Sequence, residues 1–208
     1  MFHDRNDAAI RLAKQLAEYK GQHPLILAIP RGAVPMAKII ADKLDGEFDV
    51  VLVRKLRAPD YPELAIGSVD ESGWTYIADH AASVGADAEY IEAEKQHQMA
   101  TIKQRRAQYT PVRMPIAPAG RIVIVIDDGL ATGATMISAL HGLRSRKPAR
   151  LVCAIPVSPP ETLRKIQPLA DQVVCLMTPE NFRAVGQFYY DFPQVEDNEV
   201  IEILKNQP

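Results

Sequence analysis

The stretch "RIVIVIDDGLATGATM" (residues 121–136) holds a short apolar run that ends abruptly in two adjacent carboxylates, Asp127 and Asp128. A fully apolar run of this length is typical of a strand that is buried on both faces in a parallel sheet. Ligands of parallel sheets bind just beyond the carboxyl ends of the strands, where the loops gather. The stretch therefore predicts an α/β fold with a ligand site directly after this strand.

The rest of the chain alternates between helical spacing and short apolar runs, which predict helices and buried strands respectively. Helices are expected over residues 6–20, 34–44, 87–109, about 133–146 and near 161–166, and strands over 25–30, 48–53, 122–126, 149–157 and 172–177. Residues 65–78 indicate two short strands around a turn at Ser72 and Gly73, whereas residues 54–62 carry charges and prolines without a pattern and are expected to form a loop. This alternation favours a mostly parallel sheet with helices on both faces.

The alternation ends near residue 177. We expect residues 1–177 to form one core domain, because a chain of 208 residues with 47% hydrophobic side chains can bury a sizeable core. The last thirty or so residues break the pattern, so residues 178–208 are expected to form an appended lobe.

Composition excludes several classes of protein. The formal net charge of -2 indicates neither a nucleic-acid-binding nor a membrane-binding surface. No apolar run approaches the ~20 residues of a membrane-spanning helix, and the charged N-terminus lacks the apolar region of a secretory signal. Cys153 and Cys175 lie inside apolar runs, which favours buried thiols over a disulfide or a reactive pair. The five histidines share no metal-ligand spacing. We therefore expect a cytoplasmic protein.

The residues after the strand at 122–126 suit one kind of ligand. Ionised carboxylates accept hydrogen bonds, so Asp127 and Asp128 suit vicinal ribose hydroxyls or hydrated Mg²⁺. A loop of small residues that runs into a helix N-terminus offers N–H groups and a positive dipole to a phosphate; here it consists of Ala131, Thr132, Gly133, Ala134 and Thr135. A pentose 5-phosphate satisfies both demands. The alternative is an ordinary strand–turn–helix with two solvated aspartates, which explains each residue but not their combination.

The segment from Ile122 to Thr135 resembles the phosphoribosyl diphosphate (PRPP) motif of the type I phosphoribosyltransferases. The resemblance implies the type I phosphoribosyltransferase fold with a small hood lobe, which the C-terminal residues 178–208 would form. It also implies that Asp127 and Asp128 bind the ribose hydroxyls and that residues 131–135 wrap the 5-phosphate. Over nearly the whole chain, the sequence is similar to a bacterial group of phosphoribosyltransferases of uncharacterised substrate, which share "RKL…PELAIGSV", "DDGLATGATM" and "FRAVGQFYYDF".

Two further elements follow from this resemblance. Arg31 and Gly32, just beyond the first strand, would form the loop that binds pyrophosphate. The region 54–72 would be a lid over the reacting centre, with basic residues that stabilise the departing diphosphate; these are Arg54, Lys55 and Arg57. A solvated basic turn is the alternative interpretation, and Glu63 has no assigned role beyond a lid residue or ion-pair partner.

The acceptor is less well defined. In members specific for 6-oxopurines, a third acidic residue follows the acidic pair; here Ala131 stands at that position, as in adenine-type or orotate-type members. Base recognition would fall to the hood, for which the C-terminal segment and the long helix from Asp87 are both candidates. In the C-terminal segment, Phe182, Phe188 and Tyr189 could stack on a planar base. The same aromatic residues could instead form a subdomain core or a contact in a homodimer.

Two functional hypotheses remain at this stage. The first is a Mg²⁺-dependent enzyme that transfers the phosphoribosyl group of PRPP to a nitrogenous acceptor, expected to be a nucleobase, and releases pyrophosphate. The second is a regulatory protein of the same fold that senses PRPP or a nucleotide without turnover. The intact Arg31-Gly32 loop and the basic lid argue against loss of turnover, and the lack of a basic patch or helix-turn-helix pattern argues against nucleic acid as a partner.

Overall fold

The computed structural model describes residues 1–109, 111 and 114–205, and these form two sheets with helices around them. The larger sheet has five parallel strands in the order β2-β1-β6-β7-β8. The smaller sheet is antiparallel, in the order β3-β4-β5. The strands are β1 (Leu25–Ala28), β2 (Glu47–Val50), β3 (Val53–Arg57), β4 (Ala65–Asp70), β5 (Thr75–Ile77), β6 (Ile122–Ile126), β7 (Arg150–Val157) and β8 (Gln172–Met177).

Helices cover both faces of the parallel sheet. They are α1 (Arg5–Gln15), α2 (Val34–Leu44), α3 (Ala88–Tyr109), α4 (Ala134–Ser145), α5 (Pro160–Ile166) and α6 (Asp197–Lys205), with short 3₁₀ turns at Ala17–Tyr19, Ala82–Val84, Gln167–Leu169 and Val185–Phe188. Alternate side chains of β6 enter different cores. Ile124 and Ile126 pack with α1 and α2 on one face, whereas Val123 and Val125 pack with α4 on the other. The predicted α/β fold with a mostly parallel sheet is confirmed.

The structure corrects the expected strand at 48–53 and the expected loop at 54–62. The chain leaves the parallel sheet after Val50 and starts a second strand at Val53, which pairs antiparallel with β4. Val53 and Leu56 are buried while the residues between them carry charge, and the register shifts between Leu56 and Arg57. The buried residues are three positions apart, so β3 lacks the strict two-residue period by which a strand is identified in a sequence.

The antiparallel sheet is fixed to α4 through its central strand. Ser68 is fully buried; its hydroxyl donates to the carbonyl of Ala134 at 2.6 Å and lies 2.6 Å from the Ser138 hydroxyl. Ile66 and Val69 are buried as well. Within the expected lid region, the apolar side chains of the strands thus belong to the core, whereas Lys55 and Arg57 of β3 are exposed, as is the connecting turn, where Tyr61 is 64% exposed.

The C-terminal residues pack against the start of the chain. Phe2 forms an isolated parallel bridge with Tyr189, and the two rings lie 5.3 Å apart. Helix α6 was not predicted; its buried Val200 and Leu204 join the core that includes α2. The expected division between residues 1–177 and 178–208 stays a prediction, but the described part of the tail shares its core with the first residues of the chain.

Two other expectations concern the whole chain. Cys153 is buried and Cys175 partly buried, both are free, and burial raises the pKa of each thiol. Among the described residues, no helix is long and apolar enough to cross a membrane.

A glycine in α4 offers a test of this packing. A Cβ built at Gly142 would lie 1.9 Å from Oδ2 of the buried Asp70, whose other oxygen accepts from the Ser72 and Trp74 backbone N–H groups. We expect Gly142→Ala to lower the free energy of unfolding by about 1–3 kcal/mol, measured by urea denaturation. Alanine normally stabilises a helix interior by ~1 kcal/mol over glycine. A fall in the free energy of unfolding would therefore indicate the clash with Asp70.

The control is the same change in an Asp70→Ala background. Without the carboxylate, Gly142→Ala should be neutral or stabilising. A stabilising effect in the otherwise unchanged protein would contradict the close contact between α4 and the antiparallel sheet.

Candidate active site

An open cleft of about 520 Å³ lies at the carboxyl end of the parallel sheet. The loops after β1 and β6 both border it, because these strands are neighbours that pair in register from Leu25 with Val123 to Ala28 with Ile126. The cleft brings together most of the residues predicted to bind PRPP: Arg31, Gly32, Lys55, Asp127, Asp128, Ala131, Thr132, Gly133 and Thr135, with Ile29, Pro30, Glu63, Leu64, Ala65, His80, Gly129, Leu130 and Val185 around them.

Asp127 and Asp128 lie where β6 ends, and each carboxylate has its own partners. Oδ1 of Asp127 accepts from the backbone N–H of Asp128 at 2.9 Å. Oδ2 of Asp128 accepts from Nε of Arg5 at 2.9 Å and lies 2.8 Å from Nη2. Burial, and then the charge of Asp128, raise the pKa of Asp127 well above its usual range, which the cation of Lys55 partly opposes. Burial also raises the pKa of Asp128, against the effect of Arg5.

The expected phosphate loop ends at the N-terminus of α4. Gly133 caps this helix in the left-handed conformation, with a φ of 77°, and no side chain caps the helix, so the first N–H groups are available to an anion. Thr162 of α5 shapes the loop from outside: its hydroxyl donates to the carbonyl of Ala131 at 2.5 Å, and a Cβ at Gly133 would lie 2.8 Å from its methyl group. Ala134 is buried, so only its backbone could serve a phosphate.

The expected pyrophosphate loop follows β1 and begins with a cis peptide bond between Pro30 and Arg31. Gly32 packs directly on the acidic pair, since a Cβ there would lie 2.0 Å from Oδ2 of Asp128. The Arg31 guanidinium lies 3.4 Å from Glu196 and 3.6 Å from Asp197 at the start of α6. Arg31 borders the cleft, but its guanidinium would have to exchange these carboxylates for a diphosphate.

The predicted basic residues form a second recess of about 260 Å³ beside the first. Arg54, Lys55 and Arg57 line it, together with Arg105 of α3, which sequence reasoning did not assign to the site. Burial, and then the neighbouring charges of Arg105 and Arg57, lower the pKa of Arg54. Buried Gln98 holds Arg54, accepting from its Nε at 3.0 Å. Four cations thus lie close together around this recess, and a bound anion would offset the repulsion between them.

The aromatic residues predicted to stack on a base lie mostly in the core. Phe188 and Tyr189 are 7% and 5% exposed, and the Tyr189 hydroxyl donates to the backbone carbonyl of Asp128 at 2.7 Å. Burial raises the pKa of this hydroxyl. Neither ring has a free face for a base, because the tail packs them against the N-terminal residues. Phe182 is partly exposed and lines a separate cavity of about 470 Å³ with Ala131.

Several cleft residues were not predicted from the sequence. His80 borders the cleft from the segment after β5, with its Nε2 3.1 Å from the carbonyl of Ala65. Val185 covers Gly129, where a Cβ would lie 2.6 Å from its Cγ1. Arg5, which bonds to Asp128 from behind the residues that line the cleft, comes from the first helix. None of these carries a local sequence signal, since each approaches the site from a distant part of the chain.

The oxygen atoms of the acidic pair are possible ligands for a metal ion. Within the described ranges, no cluster of three or more His, Cys, Asp or Glu side chains is arranged to hold one. The two aspartates are hard oxygen ligands, and Mg²⁺ usually retains waters and binds through one or two carboxylates with substrate phosphates. The residues therefore fit a Mg²⁺ ion that Asp127 and Asp128 would hold together with the phosphates of a bound diphosphate.

Comparison with known proteins identifies the family. A family model described as phosphoribosyl transferase domain matches residues 2–193, nearly the whole chain. The chain belongs to the phosphoribosyltransferase family, which is a family of enzymes, and the resemblance seen in the sequence is confirmed.

Individual relatives agree with this assignment. Two Mycobacterium tuberculosis proteins, from strains CDC 1551 and H37Rv, are 38% identical over 205 residues, 98% of this chain, and are provisionally named phosphoribosyl transferases. The match covers 46% of their length, so this chain spans about half of these curated relatives. The crystal structure of TT1426 from Thermus thermophilus is 42% identical, with a TM-score of 0.82 over 98% of this chain and 97% of that one.

The burial of Asp127 predicts a pH-dependent effect on stability. Because folding raises the pKa of Asp127 above its ordinary value of 3.8, the folded protein binds this proton more tightly, and ionisation of Asp127 costs stability as the pH rises. Asp127→Asn removes this cost. We expect the variant to melt a few degrees above the wild type at about pH 7, where ~1 kcal/mol corresponds to about 2–4 °C, and the gain to shrink as the pH falls toward about 4.

Asp171→Asn is a control of opposite sign. Arg144 and the Leu151 N–H lower the pKa of Asp171, so its stabilising effect is present above its ordinary pKa and is lost on acidification. This variant should melt below the wild type at about pH 7 and approach it in acid. A lower melting temperature for Asp127→Asn at neutral pH would show that the ionised Asp127 carboxylate does not destabilise the folded protein.

Proposed function

We propose that this protein catalyses Mg²⁺-dependent transfer of the 5-phosphoribosyl group from PRPP to a nitrogenous acceptor, with a nucleobase as the acceptor class. One observation carries the proposal: a single cleft is bordered by the acidic pair, the uncapped N-terminus of α4, Gly32 and Lys55. These groups match, in order, a ribose diol, a 5-phosphate, and the two ends of a diphosphate. Family membership supports the same reaction.

In the proposed complex, the ribose 5-phosphate accepts hydrogen bonds from the N–H groups of the loop over residues 131–135 and from the hydroxyls of Thr132 and Thr135. The ribose hydroxyls donate to Asp127 and Asp128. Because the loop and the acidic pair follow one another on the same strand end, a ligand that binds both has its ribose held at two points. Holding the reacting carbon in this way lowers the entropic part of the barrier.

The diphosphate would extend from the ribose toward Gly32 and the basic recess of Arg54, Lys55, Arg57 and Arg105. In the reaction, the bond between ribose C1 and the diphosphate oxygen breaks, and pyrophosphate leaves with the bonding electrons. A bond forms between C1 and the acceptor nitrogen, whose proton passes to solvent. The cations stabilise the negative charge that accumulates on the leaving group more than they stabilise bound PRPP. Mg²⁺, when bound with PRPP, neutralises part of the diphosphate charge.

The acceptor would approach over Gly129, where Val185 forms an apolar wall of the cleft. Ala131 offers no carboxylate to an incoming base, in keeping with an adenine-type or orotate-type arrangement. Phe188 and Tyr189 are buried, so a planar base in the cleft would instead make apolar contact with Val185. The acceptor class rests on the family and on this wall together.

The direct test is release of pyrophosphate from PRPP with Mg²⁺, assayed against a panel of purine and pyrimidine bases with a no-acceptor control. We expect release that depends on one base class, and its loss in the Asp127→Asn, Asp128→Asn double variant, which retains the shape of the site without its charge. Binding of PRPP without acceptor-dependent release would instead favour a sensing role. Absence of PRPP binding in the wild type would refute the proposal.

Lys55 provides a separate test of the leaving-group site. Lys55→Met removes a cation that borders both the cleft and the basic recess. We expect kcat to fall about 100-fold with a smaller change in the KM for PRPP, because the negative charge that Lys55 stabilises develops in the transition state. Lys38→Met is the matched control, since Lys38 pairs with Asp42 on the exposed face of α2. Equal losses in both variants, or a change confined to KM, would place Lys55 outside the chemistry.

A further inference from the structure

Arg5, the first residue of α1, reaches across the fold to the acidic pair. Its Nε donates to Oδ2 of Asp128 at 2.9 Å, and its Nη2 lies 2.8 Å from the same oxygen. The two residues are 123 positions apart in sequence, and their side chains are only 11% and 17% exposed. A charged pair buried to this extent needs further partners to offset its desolvation.

The tail supplies those partners for the guanidinium. The plane of Arg5 lies over the ring of Phe192, with its central carbon 3.8 Å from the ring centroid, and its Nη1 donates to the carbonyl of Pro193 at 2.6 Å. Tyr189 also stacks on Phe192, with ring centroids 4.6 Å apart, and holds the backbone of Asp128 through its hydroxyl. The arginine is thus fixed by stacking, by a carbonyl and by a carboxylate, which leaves it little conformational freedom.

The pyrophosphate loop also packs closely against this pair. A Cβ at Gly32 would lie 2.0 Å from Oδ2 of Asp128 and 3.1 Å from Nε of Arg5. The bonded oxygen of Asp128 is therefore enclosed by Arg5 and by the Gly32 backbone. Both contacts from Arg5 use Oδ2, so the arginine fixes the carboxylate by one oxygen only.

We propose that Arg5 is a positioning residue that holds Asp128 in the orientation in which it accepts hydrogen bonds from the ribose hydroxyls of PRPP. The inference rests on the proposed function and adds to it a residue outside the PRPP motif. Arg5 supplies a fixed countercharge to the second of two adjacent carboxylates at the end of β6. Because the Arg5 guanidinium donates to Asp128 and to the Pro193 carbonyl, we expect it to act on the ribose part of the ligand, whereas the diphosphate would extend past Gly32 to the basic recess.

This selectivity gives the test. Binding of PRPP, ribose 5-phosphate and inorganic pyrophosphate, each with Mg²⁺, is measured by calorimetry for the wild type, Arg5→Gln, Arg5→Lys and Arg11→Gln. Arg11 is the matched control, because it also lies on α1, pairs with a carboxylate (Asp7, 2.7 Å) and lies over an aromatic ring (Phe2, 5.3 Å). Thermal melts establish that each variant is folded at the temperature of the titration.

We expect Arg5→Gln to weaken binding of PRPP and ribose 5-phosphate by at least about tenfold, the effect of losing a charged hydrogen bond, and to leave pyrophosphate binding unchanged. Arg5→Lys should be intermediate, since it keeps the charge without the paired donors. In turnover, the loss should appear in the KM for PRPP more than in kcat. Arg11→Gln should match the wild type for all three compounds.

A substitute variant and two contradicting results complete the test. If Arg5→Gln is too unstable to titrate, Phe192→Leu takes its place, because it removes the ring that fixes the Arg5 guanidinium but keeps both charges of the pair; it should weaken binding of ribose 5-phosphate selectively, by less than Arg5→Gln would. An equal loss for pyrophosphate, or affinities equal to those of Arg11→Gln, would reduce Arg5 to a structural role while leaving the proposed function intact. A wild type that binds pyrophosphate but neither ribose compound would refute both.

Discussion

The site depends on keeping two adjacent carboxylates at the end of a buried strand. Asp127 and Asp128 follow β6 directly, and burial raises the pKa of both, so the surrounding structure must make their charge tolerable. It does so with a backbone N–H for Asp127 and a two-donor contact from Arg5 for Asp128. The requirement for Arg5 in turn explains why the first helix and the C-terminal segment around Phe192 meet at this point.

The order of strands places the loops that a phosphoribosyl ligand needs. β1 and β6 are neighbours at the centre of the parallel sheet, so the loops that follow them emerge side by side. This closeness leaves no room for a side chain at Gly32 beside Asp128, and little at Gly133 beside Thr162. Glycine at these positions is a consequence of packing between loops, and at Gly133 also of a left-handed backbone.

The antiparallel sheet combines a rigid base with an exposed turn. Ser68 bonds to α4 and Gln98 of α3 holds Arg54, so the basic residues of β3 are presented by elements that belong to the core. Catalytic groups on rigid elements are positioned more accurately than groups on loops, and crowded cations gain most from an anion when they cannot move apart. The turn that contains Tyr61 is open to solvent, as are Lys55 and Arg57.

The sequence alone determined what is encoded locally: the strand at 122–126, the acidic pair, the small-residue loop and the alternation that makes the sheet parallel. Each of these depends on residues within one strand–loop–helix unit, where periodicity and composition follow directly from backbone geometry. Tertiary structure alone decided which residues of different strand–loop–helix units contact one another. Arg5 and Thr162 reach the site over 123 and 31 positions, and burial assigned Phe188 and Tyr189 to the core although their composition suited a base-binding surface. Contacts of this kind have no local signal, because they depend on which faces of distant elements pack together.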